Sequence, residues 1–185
     1  QQGVEVGTQI YSRYASEYGI PLIVAVNQLD GEKASWETTL ESMKEAFGNK
    51  PVVVQYPVNP GLGFDSFIDV LKMKMYKFKD ENGTRESFEI PEEYKEEALA
   101  LHQQLVEMAA ENDENLMETF FDKGQLTEDE IRAGMKVGIV GHTGSGKSSM
   151  MNLLLGYNDY QEYYSCWILS LVVCEVCQEV QGARV

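Results

Sequence analysis

Apolar positions follow a helical rhythm in some stretches of the chain and run continuously in others. Between residues 8 and 18, Ile10, Tyr11, Tyr14, Ala15 and Tyr18 share one helical stripe, with Thr8 placed to cap the start and Gly19 at the stop. Pro21 ends that pattern. Leu22–Val26 is apolar at every position, which predicts a strand buried on both faces. The turn Asn27-Gln28-Leu29-Asp30-Gly31 follows. A second helix is predicted from about Ser35, with Trp36, Leu40, Met43 and Phe47 on one side and Gly48 at its end. Pro51–Tyr56 reads as another strand. Helix, strand, helix, strand in that order predicts a parallel α/β sheet.

The middle of the chain changes texture. Pro57, Pro60, Gly61 and Gly63 mark a loop, and partial alternation from Asp69 to Lys79 leads into the turn Asp80-Glu81-Asn82-Gly83, a hairpin signal. Two amphipathic stripes come next: Tyr94, Ala98, Leu101, Leu105 and Met108, then Leu116, Phe120 and Phe121. Thr127-Glu128-Asp129-Glu130 is a capping box that opens a short helix. Lys136–Val140 reads as a strand, followed by a glycine-rich turn and a helix from Ser148 to about Leu155. Beyond Gly156 the pattern carries no clear punctuation.

Composition narrows the function classes. The chain has 185 residues, 43% of them hydrophobic and 10% aromatic, enough to build a core and unlike a disordered tail. Its 30 acidic and 15 basic residues give a formal charge of −15. That argues against a nonspecific duplex-DNA binder and against charge-driven attachment to anionic lipid. Residues 81–130 hold 16 Asp/Glu and 3 Lys/Arg, so most of the negative charge sits on the predicted helices of that block. It is read chiefly as a solvated outer face, with a face for a basic partner as the alternative.

The start of the chain has neither the basic opening nor the apolar core of a signal peptide. The apolar run Cys166–Cys174, interrupted by Ser170, falls short of the roughly 20 residues of a spanning helix. The three cysteines all lie near the C-terminal end, which favours a reducing compartment over a disulfide framework. Cys174-Glu175-Val176-Cys177 has no second pair with which to complete a zinc site. A soluble, cytoplasmic protein without a membrane span is expected, and the missing initiator Met adds the expectation of a piece of something longer.

Two motifs carry chemistry. Gly141-His142-Thr143-Gly144-Ser145-Gly146-Lys147-Ser148 matches the phosphate-loop pattern in full, with a predicted strand before it and a helix after it. Gly141, Gly144 and Gly146 let the backbone, Ser145 included, curl its N–H groups around a phosphate chain, and the helix start adds its positive dipole end. Lys147 would reach the β and γ phosphates and Ser148 would hold Mg²⁺.

The second motif, Asn27-Gln28-Leu29-Asp30, resembles the N-K-x-D guanine motif of GTPases. By that resemblance Asp30 would accept hydrogen bonds from the two N–H donors on the guanine edge, which adenine does not offer in that pattern. Asn27 would tie the loop to neighbouring backbone. Gln28 stands where the motif has lysine, so an aliphatic stem remains to cover the base and the charge is gone.

A wider resemblance links these pieces. Gly3-Val4-Glu5-Val6-Gly7-Thr8 resembles the stretch after the second switch of elongation factor G, and Tyr18–Asn27 resembles the run into its guanine motif. Gln55-Tyr56-Pro57-Val58, the turn near Asp80–Gly83 and Ala110–Glu114 with Leu116-Met117-Glu118 resemble its inserted subdomain. Residues 2–134 therefore resemble the middle of the GTPase domain of that translational GTPase family. The resemblance implies GTP and Mg²⁺ as ligands, the ribosome as partner and a role in ribosomal translocation or recycling. Residues 134–155 resemble instead the phosphate-loop region of an ABC-transporter ATPase, without its other signatures, and this points to a chimera.

The expected fold is α/β: a partial P-loop NTPase-like parallel sheet with helices and an inserted α+β subdomain. The expected organisation is a partial GTPase core with the guanine motif at 1–60, an acidic helical and hairpin subdomain at 61–133, the strand, phosphate loop and helix at 134–156, and a poorly organised tail at 157–185. The expected function is GTP binding with negligible hydrolysis, because the switch motifs are missing. The alternatives are an ATP-binding piece of an ABC-type ATPase joined to a non-catalytic fragment, and a circularly permuted ribosome-assembly GTPase.

Overall fold

A computed structural model describes residues 3–18, 22–48, 51–79, 84–135 and 170–174. Helix α1 runs Val6–Glu17, strand β1 Leu22–Val26 and helix α2 Trp36–Phe47. Ser35 caps α2 by accepting a hydrogen bond from the Thr38 N–H at 3.3 Å, and Gly48 closes it in the left-handed region. The expected strand Pro51–Tyr56 divides at Val54 into β2 (Pro51–Val53) and β3 (Gln55–Pro57), which join different sheets. The Val54 carbonyl is taken by the Val70 N–H at 3.0 Å. Strands β4 (Ser66–Asp69), β5 (Lys74–Phe78) and β6 (Arg85–Phe88) follow, then helices α3 (Glu92–Glu111), α4 (Glu114–Lys123) and α5 (Glu128–Gly134), and strand β7 (Ser170–Cys174).

The arrangement is mixed α/β, but the expected parallel P-loop sheet is not what the described strands form. One sheet has the order β1-β7-β2, and both pairings are antiparallel. Strands β1 and β2 run in the same direction, as a strand–helix–strand unit requires, but β7 lies between them and runs the opposite way. Residues 170–174, in a region whose sequence carries no punctuation, thus supply the central strand. The second sheet is the antiparallel meander β3-β4-β5-β6, which contains the predicted hairpin as β5 and β6 and adds β4 to it.

The main core gathers Val26, Leu29, Trp36 and Met43 from the first part of the chain with Leu105, Val106 and Ile131 from the acidic helices. A smaller cluster of Ile68, Ile90 and Ala98 lies under the meander. Tyr56 packs against both clusters and meets Trp36 edge to face at 6.1 Å. The acidic helices offset their charged outer surface with an apolar inner stripe, and the capping box at Thr127 and Glu130 starts α5 as predicted.

Two predicted stripes turn out differently. In α1 only Ala15 is buried, while Tyr11 and Tyr18 are exposed. In α4, Leu116 and Phe120 reach the core but Phe121 is 79% exposed, because adjacent helical positions point about 100° apart. Among the described residues no helix is long and apolar enough to cross a membrane.

Candidate functional site

The guanine-motif residues lie where β1 meets a turn pinned from beneath. Val26 ends the strand in the core, and Leu29, in the turn beyond the strand end, is 3% exposed. The Leu29 carbonyl accepts the Gly61 N–H at 2.7 Å, which ties this turn to the loop after β3. With Leu29 held inside, Asn27, Gln28 and Asp30 are exposed. Gln28 has a φ of 59°, the left-handed region that side-chain-bearing residues seldom occupy, and its N–H donates to Asn27 Oδ1 at 2.7 Å. That bond joins adjacent residues and stays within the turn. The turn closes through the Gly31 N–H on the Gln28 carbonyl at 3.2 Å.

Beside this turn lies a cleft of about 310 Å³. One wall is the end of β1 from Val24 to Val26 with Asn27 and Gln28 of the turn. The other is the entry to α1: Gly3, Val4, Glu5 and Thr8, with Thr39 and Met43 of α2 also lining it. The entry segment is fixed by the Val4 N–H, which donates to Ser42 Oγ at 2.9 Å. Gly3 permits that approach. Its φ is 65°, and a Cβ there would stand 2.7 Å from Ser42 Oγ. Glu5 is the charged residue among those lining the cleft. It holds the N-cap position of α1, yet its side chain makes no capping bond.

The structure thus brings Asn27 and Gln28 into one cleft and leaves Asp30 exposed on the same turn, outside the lining. Gly141, Gly144, Ser145, Gly146, Lys147 and Ser148 lie outside the described residues. Sequence reasoning did not assign Gly3, Glu5 or Thr8 to a site. The sequence marks that segment only by its resemblance and predicts Thr8 as the helix cap, whereas Glu5 occupies that position. Among the described residues no group of three or more His, Cys, Asp or Glu is arranged to hold a metal ion.

Elsewhere, two carboxylates are shifted in opposite directions. Burial raises Asp69, outweighing its bond from the Lys72 N–H. Burial also acts on Asp65, but the Ser66 hydroxyl at 2.6 Å and Lys77 Nζ at 2.9 Å hold it below its ordinary range. Asp69 ends β4 and Asp65 directly precedes that strand, and both are outside the lining of the cleft.

No known family profile matches the chain. A crystal structure of a protein from Thermus thermophilus is similar, with a TM-score of 0.62 and 25% sequence identity, over 83% of this chain and 24% of that one. The chain thus spans about a quarter of the length of that protein.

Proposed function

We propose that this chain is a GTP-binding fragment of an elongation-factor-G-like translational GTPase, with the base held at the turn after β1. The observation that carries this reading is the turn itself: Asn27, Gln28 and Asp30 are presented to solvent around buried Leu29, at the carboxyl end of a strand and beside a cleft. The donor set suits guanine. The Asp30 carboxylate is an acceptor for the N1 and N2 hydrogens, and the Gln28 stem supplies an apolar cover.

In this reading Gly141, Gly144, Ser145, Gly146 and Lys147 hold the phosphates, and Ser148 holds Mg²⁺. When bound, the metal neutralises charge on the β and γ phosphates. No residue is assigned to position an attacking water, so binding without appreciable turnover is proposed. The ribosome is the proposed partner, through the translational family, in protein biosynthesis.

Titration of the chain with fluorescent GTP and ATP in the presence of Mg²⁺ tests the proposal. Selective GTP binding that is lost in both Asp30→Ala and Lys147→Ala supports one composite site. Equal binding of both nucleotides, lost only in Lys147→Ala, overturns it in favour of an isolated phosphate loop of the ABC type. No binding overturns it in favour of a non-catalytic fragment.

A further inference from the structure

We infer that Glu5 is a specificity residue of the cleft beside β1, accepting hydrogen bonds from the vicinal hydroxyls of a ribose and keeping phosphate out. This rests on the guanine-binding reading and adds to it a residue and a ligand class. The cleft places the Asn27 and Gln28 wall against the entry segment that carries Glu5. In this inference a base seated on the turn directs its sugar toward the entry segment, which lines the same cleft as Asn27 and Gln28. At about 310 Å³ the cleft lies at the low end of the roughly 300–1,000 Å³ range of small-molecule sites, with room for a sugar beside a base on the turn.

The Glu5 carboxylate is uncommitted among the described residues. It does not cap α1, and the helix's ion pair joins Arg13 to Glu17 instead. An ionised carboxylate offers acceptors only, and hydroxyl donors bind it through charge-assisted bonds. Charge decides what it excludes. The start of α1 contributes about half a positive charge from its free N–H groups, which favours an anion. Glu5 sets a full negative charge at the same place, and the lining contains no lysine, arginine or histidine to offset it. The local balance is negative, so a phosphate is disfavoured there and a neutral diol is favoured.

The test compares guanosine with 2′,3′-dideoxyguanosine by calorimetry on the full chain, in the wild type and in Glu5→Gln and Glu5→Ala. Wild type is expected to bind guanosine about tenfold tighter than the dideoxy compound, the ratio set by one charge-assisted contact. That ratio should shrink in Glu5→Gln and approach one in Glu5→Ala, while Asp30→Ala weakens both ligands alike. Inorganic phosphate should not displace guanosine from wild type. A ratio untouched by either Glu5 substitution, or displacement of guanosine by phosphate, overturns the role of Glu5 and leaves the guanine reading standing. Failure of guanosine and GTP alike to bind overturns both. Glu5 is exposed, and circular dichroism of the variants should match wild type.

Discussion

Replacing Gly134 with alanine probes the closest packing between two of the acidic helices. Gly134 is the last residue of α5 and is buried against α3. A Cβ built there stands 2.5 Å from the Ala109 carbonyl oxygen, 3.0 Å from its carbon and 2.9 Å from Leu116 Cδ1. The leucine methyl can rotate aside, but Ala109 is fully buried backbone in the middle of the core, so α5 itself must recede. Recession loosens Ile131, which is 1% exposed.

Overpacking of this kind costs about 1–3 kcal/mol. The gain in helix propensity from glycine to alanine is at most about 1 kcal/mol, and less at a terminal position. The net expectation is a loss of about 1–2 kcal/mol. With a urea m-value of roughly 1–3 kcal/mol/M, the denaturation midpoint should fall by about 0.3–2 M with no change in slope. Gly7→Ala is the matched control. Gly7 lies in the first turn of α1, and its new Cβ would meet nothing within 4 Å. That variant should hold or gain stability, by up to about 1 kcal/mol. If Gly134→Ala is stabilised as Gly7→Ala is, the packing of α5 on α3 is not the one described.

Leu29→Ala should cost about 2–4 kcal/mol by urea denaturation, since the side chain is buried and its loss leaves a cavity under the turn. Under conditions where the variant remains folded, the same substitution should weaken guanosine binding by freeing Asn27 and Asp30; unchanged affinity would separate the turn from the site. Thr127→Ala removes the hydroxyl that accepts the Glu130 N–H at 3.3 Å, and a loss of about 1 kcal/mol is expected in thermal or urea unfolding.

Asp69→Asn should show a pH-dependent effect. The folded state raises the pKa of this carboxyl above its unfolded value of about 3.9, chiefly by burial, so its contribution to stability is full below that value and is lost as pH rises through the raised folded value. An asparagine suffers no such loss, so the variant should gain on wild type between about pH 4 and pH 7. A difference in urea midpoint that is flat or reversed across that range would refute the assigned environment.

Much of the fold could be read from local chemistry alone. Ser35, Thr127 with Glu130, Gly48 and the apolar spacing of residues 94–108 marked helix ends and faces, because capping and helical periodicity act within one or two turns of chain. Leu22–Val26 was legible as a strand, but only Val26 is buried and the other four positions are half-buried, short of the burial on both faces that the apolar run predicts. The candidate turn after β1 was also legible as four residues in a pattern, but the cleft next to it was not. Glu5 and Gly3 enter it only because Val4 bonds to Ser42, 38 residues away.

Local sequence marked α2, α3 and α5, the strand after Pro21 and the acidic block, but not β4 or β7, and the strand and helix predicted around the phosphate loop lie outside the described residues. Tertiary structure alone decided that β1 and β2 are parted by an antiparallel β7, that Pro51–Tyr56 serves two sheets, and that Phe121 points outward. Strand direction, sheet membership and burial depend on which distant segment fills the neighbouring space. That competition is decided by packing over the whole chain, and no short window of residues records its result.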